Sequence, residues 1–92
     1  MTENQIRFLT MLKPFHKLRH HWSPFDLSLD LDSFEQDLKL MSSGEKHLAK
    51  FFASIWLNDS ERFPFDLIQA ARTLDSRSMT VIINWLQDPF YP

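Results

Sequence analysis

Apolar residues recur at helical spacing along most of this chain, and one stretch is apolar on nearly every side. From Leu48 to Leu57 almost every position is apolar. On a wheel of about 100° per residue the exceptions, His47, Lys50, Ser54 and Asn58, fall in one narrow stripe. A helix with so little polar face must be enclosed by its neighbours, so residues 44–57 are expected to be the axis of a small helical domain. Ser42 with Glu45 is a capping-box pattern that starts this helix, which is expected to end near Asn58.

Around that axis the spacing predicts shorter helices. Thr2 with Gln5 opens one from about residue 3, and Phe8, Met11, Leu12, Phe15, Leu18 and Trp22 follow helical spacing. Pro14 should stop or kink it near Leu12 and Lys13, with a second short segment starting with Pro14 in its first turn, and Pro24 should end the region. Asp32 with Glu35 reads as a cap for a helix carrying Phe34, Leu38 and Met41. Leu67, Ile68, Ala71 and Leu74 mark an amphipathic helix with Asp66 near its start. Asp75 caps a last helix through Leu86, whose β-prone Thr80–Ile83 run is overruled by a shared polar face of Arg77, Thr80, Asn84 and Gln87. Between them, Phe25 to Asp32 alternates strictly. It predicts an extended segment laying Phe25, Leu27, Leu29 and Leu31 on the helices, or an edge that pairs with another chain. The tail, Asp88-Pro89-Phe90-Tyr91-Pro92, cannot continue the helix and is expected to dock. The expected fold is thus all-α, one domain over residues 1–92 with about five helices.

Composition sharpens this picture. The chain of 92 residues has one glycine and no cysteine, which leaves no disulfide framework, no thiolate metal site and no glycine-rich phosphate loop. No apolar run is long enough to span a bilayer, and the polar N-terminus lacks the order of a signal peptide, so a cytoplasmic protein is expected. Charge is split along the chain. Arg7, Lys13, Lys17 and Arg19 stand against Glu3 in residues 1–24, whereas Asp26, Asp30, Asp32, Glu35 and Asp37 stand against Lys39 in residues 25–40.

The block Met41-Ser42-Ser43-Gly44-Glu45-x-His47-x-Ala49-x-Phe51-Phe52, with the closing Trp85-x-x-Asp88-Pro89-Phe90-Tyr91-Pro92, resembles a set of small helical bacterial proteins, some carried on mobile elements. The likeness covers residues 25–92. It implies a helical fold and a bacterial cytoplasm, and brings no activity or site residue with it.

Several constellations carry chemistry in principle. His16, His20 and His21 are the most suggestive ligand set, because His16 and His20 stand one helical turn apart. No local carboxylate is spaced to complete it, and His47 would have to arrive through the fold. No metal or other cofactor is therefore expected. The basic stretch from Arg7 to Trp22 interleaves cations with aromatics, as a nucleic-acid surface can, but its aromatics keep core periodicity. The acidic residues 26–37 are too few and too irregular to imitate a row of phosphates. Residues 66–86 have the outline of a helix-turn-helix through Ala71, Leu74 and Val81. Asp75 and Ser76, however, replace the usual turn residues, and the second helix is mostly apolar where base-reading donors are needed. No nucleophile, paired carboxylate or nucleotide motif stands in a recognisable context, and a domain this small has little room for a pocket, so neither catalysis nor a small-molecule substrate is expected.

The function expected is a non-catalytic protein-interaction or regulatory module, with a foreign protein or a second copy as partner. Its contact surface is placed in residues 7–37, with Arg7, Lys13, Lys17, Arg19, Trp22, Asp26, Asp30 and Asp32 as the contacting residues. The alternative is a small DNA-binding regulator using residues 66–86 or the basic N-terminal stretch.

Overall fold

The computed structural model describes residues 1–23, 25–26 and 28–92. Six α-helices are present among them: α1 (Glu3–Leu12), α2 (His16–Arg19), α3 (Leu31–Leu38), α4 (Ser43–Leu57), α5 (Leu67–Thr73) and α6 (Ser76–Gln87). The chain is all-α, with principal extents of 34 × 31 × 25 Å. No helix of the described residues is long and apolar enough to cross a membrane.

α4 is the axis. No residue from Gly44 to Leu57 is exposed, and Leu48, Ala49, Phe51, Phe52, Ala53 and Ile55 are buried. α1 and α6 reach it through aromatic rings, and α5 through close backbone approach at Gly44. Phe8 of α1 stands edge-on to Phe52 at 5.7 Å between centroids and also meets Trp56 at 4.9 Å and Trp22 at 5.4 Å. Edge-to-face pairs of this kind add about 0.5–1.5 kcal/mol beyond the area they bury. On the far side Phe51 meets Phe65 and Trp85. The polar stripe of α4 is covered in part by the loop that follows: the Ser54 hydroxyl shares its proton between the carbonyls of Lys50 (2.7 Å) and Phe63 (2.8 Å).

Helix ends follow local chemistry. Thr2 and Gln5 close a full capping box on α1, with each side chain bonded to the other's backbone N–H. At α4 the Ser42 hydroxyl accepts from the Glu45 N–H but donates to the Glu45 carboxylate, so the glutamate does not reach the cap backbone. The cap of α3 is Asp30, not Asp32: Asp30 accepts from the Ser33 N–H, and Asp32 lies inside the first turn. Pro14 falls between helices rather than in the first turn of α2, whose N-cap is Phe15. Asp66 and Asp75 cap α5 and α6 through Gln69 and Ser78, and residues 80–83 are helical, as the shared polar face predicts.

Two expectations about packing need correction. The alternating segment contributes one isolated antiparallel bridge, Trp22 to Leu29, flanked by Ser23 N–H to Ser28 O and Asp30 N–H to His21 O at 2.9 Å each. Leu29 and Leu31 pack on the core, but Phe25 sits on a turn and is 95% exposed; Leu27 and Pro24 lie outside the described residues. In α5 the buried residue is Ala70, while Leu67, Ile68 and Ala71 face outward. The tail docks as expected: Phe90 is buried, Trp85 Nε1–H donates to its carbonyl at 2.9 Å, and the Arg7 guanidinium lies 4.0 Å over its ring.

Candidate functional site

The residues expected to meet a partner fall into four groups. Lys13, Lys17 and Arg19 are exposed around α2, with Lys17 Nζ 3.8 Å from a Glu45 carboxylate oxygen. Arg7 is engaged within the chain, pairing with Asp88 at 3.1 Å while stacking on Phe90. Trp22 is 4% exposed and belongs to the core, where a partner cannot reach it. The acidic residues do local work. Asp26 accepts from both the backbone and the hydroxyl of Ser28, which holds its carboxyl below the usual carboxylate range. Asp30 caps α3, and Asp32 is exposed beside it.

A surface that sequence reasoning did not single out lies between α6 and the loop after α4. It is an open groove of about 470 Å³ walled by Ile55, Phe65, Leu67, Trp85, Leu86 and Tyr91. Leu67, Leu86 and Tyr91 are each between 41% and 51% exposed. Its polar rim is Asn58, Asp59 and Ser60, with Glu61 and Asp66 next along the chain and exposed. A second open groove, about 530 Å³, runs between α2, the start of α4 and the α5–α6 junction, and carries Lys17, Glu45, Asp75 and Arg77. Both exceed the room expected of so small a domain. In the second groove the ionic groups are already engaged: Arg77 bonds the Pro14 carbonyl and lies over Phe15, and Asp75 is held by Ser78, which keeps its carboxyl below the usual range.

The histidines separate in space. His16 is exposed and its ring does not join the others, so the one-turn spacing with His20 is not used. His47 is on α4, half-buried, away from them. His20 and His21 instead converge on Asp37, in the last turn of α3. Asp37 Oδ2 lies 3.4 Å from His20 Nε2 and 3.2 Å from His21 Nε2, and the three ligand atoms all fall within 4.8 Å of one another. His21 is 1% exposed, its Nδ1 is 3.2 Å from the Ser33 hydroxyl, and its ring stands edge-on to Phe34. Burial depresses the His21 pKa below the ordinary histidine value, His20 adds to that, and Asp37 and Asp30 oppose it. Its Nε2 is buried and makes no hydrogen bond. His20 and Asp37, by contrast, are about half-exposed and border a small groove with Lys17, Leu40, Met41 and Glu45. No spacing in the sequence pointed to Asp37 as the partner of the histidines, because the fold brings it to them from α3.

No family model matches the chain, and no curated protein and no solved structure matches it either.

Proposed function

We propose that this chain is a non-catalytic, cytoplasmic protein-interaction module that associates with a second copy of itself. The observation that carries the reading is a knob and a groove on one chain: Phe25 is 95% exposed, and the apolar groove beside α6 is large enough to receive a ring. Charge does not add to the pairing: the exposed Asp26 follows Phe25 directly, and the groove rim is acidic too, with Asp59 and, nearby, Glu61 and Asp66, so the apolar contact carries it. If each copy fills the other's groove, the contact closes as a two-fold pair; if not, it propagates.

The magnitude is modest. Burying one exposed apolar side chain contributes about 1.5–3 kcal/mol, and association costs roughly 4–15 kcal/mol in lost freedom. A few such contacts therefore give weak, concentration-dependent association rather than an obligate dimer. Sedimentation velocity over a concentration series tests this. The full chain should show a rising weight-average mass, and Phe25→Ser and Leu86→Asp should each hold it at the monomer value. A monomer at every concentration reached would remove the second copy as partner.

The DNA-binding alternative finds less support at residues 66–86 than at the exposed Lys13, Lys17 and Arg19 of the basic stretch. α6 carries one cation, Arg77, and that residue is engaged with Phe15 and Pro14. Phosphate contact needs several free cations on one face.

A further inference from the structure

We propose that His20, His21 and Asp37 form a binding site for a divalent transition ion of the zinc class. The inference is independent of self-association and rests on how three donor atoms converge. In a tetrahedral zinc site with ligand bonds of about 2.0–2.1 Å, neighbouring donor atoms stand roughly 3.3–3.4 Å apart. The His21–Asp37 and His20–Asp37 separations are 3.2 and 3.4 Å, so two edges of that tetrahedron already have the required length. The remaining edge, between the two imidazoles, is within 4.8 Å and can close by rotation of the half-exposed His20 ring.

A plain histidine–carboxylate ion pair explains the cluster less well. One carboxylate oxygen faces two ring nitrogens, and the buried one makes no hydrogen bond despite lying 3.2 Å away. A buried polar atom without a partner costs about 1–3 kcal/mol. The Ser33 hydroxyl lies 3.2 Å from His21 Nδ1; in the tautomer whose Nδ1–H donates to it, the Nε2 lone pair is left for an ion, the arrangement that supports a metal-ligating imidazole from behind. Ser33 and Asp37 lie on the same helix, and His21 O accepts from Asp30 N–H just before it, so the backbone holds the ligands in register.

Two imidazoles and one carboxylate, without thiolate, suit Zn²⁺, Co²⁺ or Ni²⁺ rather than Cu⁺, and offer too few oxygens for Ca²⁺ or Mg²⁺. The groove of about 240 Å³ beside His20 and Asp37 leaves the fourth position to water. A bound ion would tie the end of α2 to the last turn of α3.

The test uses the full chain stripped with a chelator, titrated calorimetrically with Zn²⁺ and followed with Co²⁺ by visible absorption. One ion per chain and an intense tetrahedral Co²⁺ band are expected. Asp37→Asn and His20→Ala, both at half-exposed positions that the fold tolerates, should weaken binding at least tenfold and lose the band; His16→Ala should change neither. Zinc should also raise the Tm of the parent chain but not of Asp37→Asn. Absence of saturable binding would overturn the proposal. So would binding that survives Asp37→Asn and His20→Ala but is lost in His16→Ala, which would mark an adventitious surface site.

Discussion

His21 illustrates how one side chain can be polar in the sequence and part of the core in the structure. Its ring packs against Phe34, Ser33 and the His20 ring, and the titratable groups that face it are His20, Asp37 and Asp30. Burial lowers its pKa in the folded state below the value it has in the unfolded chain. The unfolded chain therefore takes up a proton first as pH falls, and stability is lost from about pH 6.5 downward until the folded-state pKa is passed. Urea midpoints measured from pH 8 to pH 5 should fall with pH, and the part due to His21 should vanish in His21→Phe. Such burial was not visible in the residue string. His20 and His21 are adjacent and identical, and nothing in their spacing says that His21 is the one that turns inward.

Elements differ in how far their pattern announced them. α4 was legible because apolar residues on nearly every side leave only one environment for a helix. Its C-terminus was legible too. Asn58 adopts φ 50°, ψ 46°, and its N–H and that of Asp59 bond back to Ile55 O and Ser54 O, closing a Schellman motif. Asparagine tolerates the left-handed region better than alanine does. Asn58→Ala should therefore lower stability by about 1 kcal/mol, while Asn58→Gly should be neutral or mildly stabilising. Denaturant titration of the two variants would check the difference. α5 was misread for an equally physical reason. Its apolar side chains suggested a buried face, but the helix is only seven residues long and approaches α4 closely, with the Thr73 carbonyl 3.2 Å from where a Cβ on Gly44 would stand. An approach that close favours the small side chain of Ala70 and turns Leu67 and Ile68 outward. The groove beside α6 was hidden because its walls come from α4, the loop after it, Leu67, α6 and the tail, which only the fold brings together.

At the level of the whole molecule, the aromatic core makes distant segments depend on one another. Phe8, Phe52, Trp22 and Trp56 meet at one point, and Phe34, Phe51 and Phe63 extend the cluster. Phe52→Ala at its centre should cost about 3–5 kcal/mol, a large share of what a domain of this size holds in reserve. Tryptophan fluorescence and helical circular dichroism should still report a single shared transition, because no element has a core of its own to retreat to. The clamp of Arg7 between Asp88 and Phe90 has a topological counterpart. Asn4 Nδ2 also reaches the Tyr91 carbonyl at 3.5 Å, so the first helix and the last residues are neighbours in space. Joining residue 92 to residue 1 through a short linker would then connect segments already side by side, and the circular chain should resist heat better than the open strand.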